Sequence, residues 1–313
     1  MRFVFIFILI FPLCLAAAEP EDITASSYLL VEMDSLQIVA GKDYHRRLPP
    51  ASTTKVMTTL LAIEKLAGNE TIVPGKEVRA ISPSKMNLIP GKGYKSTDLL
   101  KGAMVESAND AAYALAVYIG GTESNFAAMM NEKARALGAI DTNFVNASGL
   151  PADEQYTTCY DLAIIFKQAL LDPRFREIIG IQYFLFQDDK RRVQYKNHNR
   201  LLFCFEPAIG GKTGYTRKAR HCYVGAFEKD GKVYILTMLG SRSLWGDTVQ
   251  ILKTVYNRVP TDEELRLAKY CSPSLTSYHV KKTIKPKAKK KISKTKKKFS
   301  KAKKIISRTK KKG

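Results

Sequence analysis

Residues 48–68 read "LPPASTTKVMTTLLAIEKLAG", and the reading of this stretch decides the fold. A serine, two threonines and a lysine open a run in which Val56, Leu60 and Ile63, with Met57 and Leu61 beside them, keep helical spacing. The pattern predicts a helix over 53–67 that is apolar nearly all round and therefore buried. A lysine at the mouth of a buried helix is costly unless its charge is managed or used. Lys55 stands three residues after Ser52, and residues i and i+3 share a helical face, so its amine can reach the Ser52 hydroxyl. The helix N-terminus adds free N–H groups and a positive dipole end, both suited to a developing oxyanion.

Spacing alone establishes little. Ser-x-x-Lys recurs at Ser82/Lys85, Ser293/Lys296, Ser300/Lys303 and Ser307/Lys310, three of them in a lysine-rich tail where chance supplies them. Only the pair at Ser52 and Lys55 starts a helix.

Working outward, "SYLLVEMDSLQIVAGKD" has two apolar runs around an Asp34-Ser35 corner, a β-hairpin signal. "STDLLKGAMVESANDAAYALAVYIGG" predicts two helices interrupted near Glu106–Asp110, and "NFAAMMNEKARALGA" an amphipathic helix. "TTCYDLAIIFKQALLDP" predicts another, with a threonine cap and a stop at Pro173. "YFLFQ" reads as strand or core. "GGKTGYT" and "RHCYVGAFEKDGKVYILTMLGS", turning at Asp230-Gly231, predict three late strands, and a last helix is expected at about 245–257. Strands at both ends with helices between them imply a mixed α/β fold. Its antiparallel sheet would join N- and C-terminal strands and carry flanking helices and a mostly helical insert.

The charge is uneven. Of 51 basic residues, 18 lie in 281–313 beside no acid, which leaves 33 against 29 acidic residues in the rest of a chain of net charge +22. The body is nearly neutral and the basicity belongs to an appendage. Arg2, the apolar run Phe3–Leu15 and Ala16-Ala17-Ala18 read as a secretory signal peptide, with an uncleaved anchor as the alternative. The expected organisation is a signal peptide at 1–18, a catalytic domain at 19–265, a linker at 266–280 and a tail at 281–313. Export makes the periplasm, or the outer face of the cytoplasmic membrane, the expected location. Cys159, Cys204, Cys222 and Cys271 allow three pairings and the sequence does not choose among them. Cys222 reads as a small core residue. No spacing suggests a metal site and no cofactor is implied.

Two further motifs give the chemistry its weight. Ser107-Ala108-Asn109 is the only Ser-x-Asn of the chain, and Lys212-Thr213-Gly214 its only Lys-Thr-Gly. A serine hydroxyl needs a base to become a nucleophile, and a lysine can be that base if desolvation or a neighbouring cation lowers its pKa. Lys212 is a candidate for that neighbour. Asn109 alone could equally be a helix cap, and His198 and His221 are assigned nothing. The motifs gain force because they occur together, at a helix start, an interhelix loop and a sheet strand.

With these motifs, and with "ESANDAAYALA", "NASGLPADEQYTTCYDLA" and "NHNRLL", the chain from about Ser26 to Tyr256 resembles the serine D-Ala-D-Ala carboxypeptidases. These are the low-molecular-mass penicillin-binding proteins of β-lactamase-like fold. The resemblance implies that Ser52 attacks the terminal D-Ala-D-Ala bond of a peptidoglycan stem peptide, with Lys55 as general base. Ser107 would relay protons, Asn109 would hydrogen-bond the substrate amide, and Lys212 and Thr213 would hold the terminal carboxylate. Gly214 would allow close approach, and the backbone N–H groups of Ser52 and Tyr215 would form the oxyanion hole. Acylation by β-lactams and a role in cell-wall remodelling are implied too. Two departures stand out. Asp247 lies near the slot where such enzymes often carry a carboxylate-binding arginine, with Arg242 as the alternative cation. Ala219-Arg220 replaces a common Ala-Gly pair.

Three rival readings remain. A β-lactamase would need a deacylating glutamate, and Glu206-Pro207 stands too close to Lys212 for that arrangement. A DD-endopeptidase of the same fold is the second. The third is an envelope polyanion-binding protein acting through its tail; nucleic acid conflicts with export. In the tail, Ile284, Ala288, Ile292, Thr295, Phe299, Ala302 and Ile306 form a helical stripe among lysines. The stripe suits an amphipathic helix on an anionic membrane as well as a disordered arm.

Overall fold

The computed structural model describes residues 23–271, so the expected signal peptide and basic tail lie outside the described residues. The chain opens with β1 (Ser27–Glu32) and β2 (Ile38–Lys42), then a 3-10 turn (Ala51–Thr54) running into α1 (Lys55–Lys65). The insert follows as β3 (Thr71–Ile72), β4 (Tyr94–Lys95), α2 (Ser96–Lys101), a π-helical turn (Gly102–Glu106), α3 (Asn109–Gly120) and α4 (Glu123–Ala136). Next come α5 (Cys159–Leu170), α6 (Pro173–Ile179), β5 (Tyr183–Gln187), β6 (Arg192–Lys196) and α7 (Leu201–Cys204). The chain closes with β7 (Ala208–Thr216), β8 (Arg220–Lys229), β9 (Lys232–Ser241), α8 (Leu244–Leu252) and α9 (Asp262–Tyr270).

The main sheet has the order β2-β1-β9-β8-β7, so strands from the two ends of the sequence pair as the patterning predicts. All its pairings are antiparallel. Glu32 fixes the first corner: its carboxylate accepts from the backbone N–H groups of Asp34 and Ser35 at 3.0 and 2.9 Å. The Ser35 hydroxyl first, and then those backbone bonds, lower its carboxyl to about 2.

Both faces of the sheet are covered, and side-chain alternation sorts the two cores. Leu29, Val31, Val224, Ala226 and Ile235 face the core that holds α1, α3 and α5. Tyr28, Leu30, Tyr223, Phe227 and Leu236 face the second core, with Leu201, Ile251 and Leu265 from α7, α8 and α9. α1 is buried on all sides except at Glu64 and Lys65, as its composition predicts.

Several boundaries differ from the sequence reading. The first turn of the expected 53–67 helix is 3-10, and α1 ends at Lys65 because Leu66 is extended. Beyond it, the Glu70 carboxylate accepts from the N–H groups of Ala67 and Gly68, which stabilises the turn. Thr158 does cap α5, accepting from Asp161 N at 3.0 Å. Pro173 does more than stop α5: it is the first residue of α6, where its missing N–H costs nothing. The last predicted helix is shorter, Leu244–Leu252. α9 then continues to Tyr270, five residues into the expected linker. A capping box between Thr261 and Glu264 starts it. All four described cysteines are free, with Cys222 in the core.

Candidate active site

β7 is an edge strand of the main sheet, and its open edge forms one wall of a cleft of about 650 Å³. Ser52, Ser107, Asn109, Thr213, Gly214 and Tyr215 all line this cleft. Three motifs spread over more than 150 residues of sequence, from Ser52 to Gly214, are thus brought together.

Ser52 follows Ala51, whose φ of +47° is a left-handed conformation rare for alanine. The turn places Ser52 at the cleft floor, just before α1. Lys55 is fully buried at 0% exposure. Its Nζ lies 2.8 Å from Ser52 Oγ, 2.7 Å from Asn109 Oδ1 and 2.7 Å from the Ser148 carbonyl oxygen. Burial first, and then the nearby Lys212 charge, holds the Lys55 amine well below the ordinary lysine value of 10.5. A neutral amine has two N–H donors and one lone pair. Asn109 Oδ1 and the Ser148 carbonyl can only accept, so they take both donors. The lone pair is left for the Ser52 hydroxyl.

Asn109 joins the lysine to the neighbouring loop. Its oxygen accepts from Lys55, and its Nδ2 donates to the carbonyls of Ser82 and Pro83 at 3.0 and 2.8 Å. Both N–H donors of the amide fix the 82–83 carbonyls and its oxygen holds Lys55, with one acceptor site of that oxygen left. Asp110 ties down the same loop, accepting from Met86 N and Leu88 N at 2.9 and 3.0 Å. Ser107 sits between the π-helical turn and α3 with φ of +63°, a strained conformation that points to a positioning requirement.

Lys212 is 1% exposed, and its Nζ donates to the Thr213 carbonyl at 2.8 Å. Burial lowers it to about 7, with Glu106 opposing. Next to it, Gly214 permits a close approach: a Cβ there would lie 2.8 Å from Ser52 N. β7 can therefore pass directly beside the nucleophile. Tyr215, 61% exposed, packs at a tilt against His221 with ring centroids 4.7 Å apart.

The sequence reading passed over several cleft residues. The Ser148 carbonyl is presented by a loop tied internally, with Asn146 Oδ1 accepting from Gly149 N at 2.8 Å and Nδ2 donating to Leu150 O at 2.9 Å. A backbone acceptor has no side-chain signature, although the "NASGL" stretch is an Asx-turn pattern. Glu106 is the one acid among the described lining residues, and burial raises its carboxyl. His198 also lines the cleft, and burial with the two lysine charges lowers it to about 4. Its imidazole is therefore neutral at pH 7, and the 3.9 Å approach to Glu106 is not an ion pair. Lys269 of α9, together with Trp245 and Arg200, completes the far wall.

The two departures resolve differently. Asp247 is 2% exposed and faces inward, accepting from Thr24 N, Thr24 Oγ1 and Ser241 Oγ at 2.9, 2.8 and 2.6 Å. It fastens the N-terminal segment to the end of β9. Arg242, the alternative carboxylate cation, is exposed and is not among the residues lining the cleft. Its backbone N–H bonds Thr24 Oγ1 at 3.0 Å. Arg220 is likewise exposed and outside the lining, at the β7–β8 turn with φ of +57°.

Comparison with known proteins agrees with this geometry. The family model of Peptidase S11, D-alanyl-D-alanine carboxypeptidase, matches residues 15–243. A D-alanyl-D-alanine carboxypeptidase of Mycobacterium tuberculosis, DacB2, is 36% identical over 220 residues, covering 70% of this chain and 75% of the relative. The corresponding DacF of Bacillus subtilis is 31% identical over 235 residues, covering 73% of this chain but only 60% of its own length. Among solved structures, a D-alanyl-D-alanine carboxypeptidase of M. tuberculosis superposes with a TM-score of 0.73 at 31% identity, covering 79% of this chain and 96% of that one. The Streptomyces K15 DD-transpeptidase gives 0.71 at 28% identity, covering 76% and 98%.

Proposed function

The chain belongs to the D-alanyl-D-alanine carboxypeptidase family of serine peptidases, and from that premise we propose that it releases the terminal D-alanine of peptidoglycan stem peptides through an acyl-enzyme on Ser52. The observation that carries this reading is the Lys55 amine, fully buried and 2.8 Å from Ser52 Oγ.

A substrate peptide lies along the open edge of β7, whose backbone groups supply strand-like hydrogen bonds. Lys55 takes the Ser52 proton as Oγ bonds to the penultimate carbonyl carbon. The Ser52 and Tyr215 N–H groups stabilise the oxyanion, a contribution of about 3–4 kcal/mol per donor in other hydrolases. The C–N bond then breaks and the proton passes from Lys55, by way of Ser107, to the departing D-alanine amine. Water cleaves the resulting ester by the reverse proton path and restores Ser52 and Lys55. β-Lactams enter by the same first step.

The direct test uses wild type and Ser52→Ala with a pentapeptide ending in D-Ala-D-Ala. Wild type should release D-alanine, and the variant should lose that activity by at least about a thousandfold. Persistent release by Ser52→Ala would refute the acyl-enzyme on this residue.

Export, the 1–18 signal peptide and attachment through the 281–313 tail belong to the same proposal and rest on the sequence alone. A 281–313 peptide should gain helix by circular dichroism on anionic vesicles and not on neutral ones. No gain and no binding would remove the membrane anchor.

A further inference from the structure

The amino acid released by a carboxypeptidase carries a free carboxylate, and a cation of the cleft has to receive it. This inference rests on the carboxypeptidase reading above. Most of the nearby cations are already committed. Lys196 donates to the carbonyls of Ala268, Lys269 and Cys271 at 2.6, 2.9 and 2.8 Å, which caps α9. His198 is neutral at pH 7, and Lys212 is buried with its Nζ on the Thr213 carbonyl. Asp247, held by Thr24 and Ser241, offers the wrong sign. Arg200 and Lys269 remain. Lys269 is exposed, whereas Arg200 is half-buried with its guanidinium 5.9 Å from the Trp245 ring centroid. No carboxylate among the described residues forms an ion pair with it.

The sheet register places Arg200 relative to the reacting groups. Lys212 is opposite Val224, and Thr213 is opposite Tyr223. Directly opposed residues point to the same face. Val224 belongs to the core on the α1 side, where Ser52 lies, and Tyr223 to the core on the other side. Trp245 packs edge-on against Tyr223 with centroids 5.8 Å apart, and Arg200 lies over Trp245. Thr213, Trp245 and Arg200 line the same cleft as Ser52.

We propose that Arg200, steadied by Trp245, is the leaving-group carboxylate receptor of this enzyme, acting with the Thr213 hydroxyl. A guanidinium matches a carboxylate in a planar, two-point contact, and an aromatic face restricts its rotamers without removing its charge.

The test uses the full-length protein with acyl-D-Ala-D-Ala as the free acid and as its C-terminal amide. In Arg200→Ala, KM for the acid should rise at least about tenfold while kcat changes less than about threefold. The amide reaction should be unchanged, Arg200→Lys should recover part of the loss, and Lys269→Ala should behave as wild type. Equal losses on acid and amide would reduce Arg200 to a structural role and overturn the inference. So would an unchanged KM for the acid, or a loss carried by Lys269→Ala. A wild type that releases no D-alanine would sink the carboxypeptidase reading separately. Arg200 is then judged by Ser52 acylation with benzylpenicillin against its methyl ester, where only the free acid should respond to the substitution.

Discussion

Lys55→Ala is expected to lower the rate of Ser52 acylation by about a thousandfold or more while leaving the protein folded. A positioned general base contributes about 10²–10⁴-fold, and the amine also orders the hydroxyl it deprotonates, 2.8 Å away. No other basic group contacts Ser52 Oγ among the described residues. Stability should change less than activity, because two effects oppose. Truncation leaves Asn109 Oδ1 and the Ser148 carbonyl without their donor, at about 1–3 kcal/mol each. It also removes a fully buried amine whose desolvation was unfavourable. Lys55→Arg should be no more active, since a guanidinium stays charged. Mass spectrometry of the penicillin adduct, timed after mixing, gives the rate. A Lys55→Ala rate within tenfold of wild type would remove Lys55 from the base role.

The second large effect is expected at Gly149. Its φ is +83°, and a Cβ there would overlap the carbonyl oxygen of Ala51, the residue before the nucleophile. Gly149→Ala therefore combines a left-handed alanine, about 1–2 kcal/mol, with overpacking of about 1–3 kcal/mol. Tm should fall by about 4–20 °C for a domain of this size. Relief of the clash moves either the 146–150 loop or the turn carrying Ser52, and both contact Lys55. Acylation should drop by at least about tenfold. Gly121→Ala is the matched control, with φ of +73° but nothing within 4 Å of the added Cβ. It should show only the backbone cost and normal acylation. Equal effects at the two positions would mean that the contact with Ala51 is unimportant.

Much of this architecture was legible because local pattern and tertiary role coincide. Alternation in "SYLLVE" and "KVYILTMLGS" is the same alternation that divides Leu29 and Ile235 from Leu30 and Leu236 between two cores. The motifs at Ser52, Ser107 and Lys212 mark the cleft because each places a polar side chain where packing would otherwise favour an apolar one. What stayed hidden depends on contacts between distant segments. Nothing local indicates that the Asn109 amide faces inward to Lys55 and the 82–83 carbonyls. Nor can a sequence display the Ser148 carbonyl, whose role belongs to the backbone. Asp247 looked like a defect in carboxylate recognition, but its partners Thr24 and Ser241 make it a fastening of the fold. The last five residues of α9 fall in the expected linker because the helix buries only a narrow face, with Leu265 and Ala268 its only buried residues.

The mechanism depends most on Lys55 being neutral while Ser52 is still protonated. The decisive measurement is the pH dependence of Ser52 acylation by benzylpenicillin, followed as covalent adduct in wild-type protein. A depressed lysine binds its proton only at low pH, so its base form is present above that depressed value. The rate should rise with pH and level off well below the 10.5 of an ordinary lysine. A rate still climbing about tenfold per unit between about pH 8 and 10 would contradict the neutral amine and, with it, the mechanism.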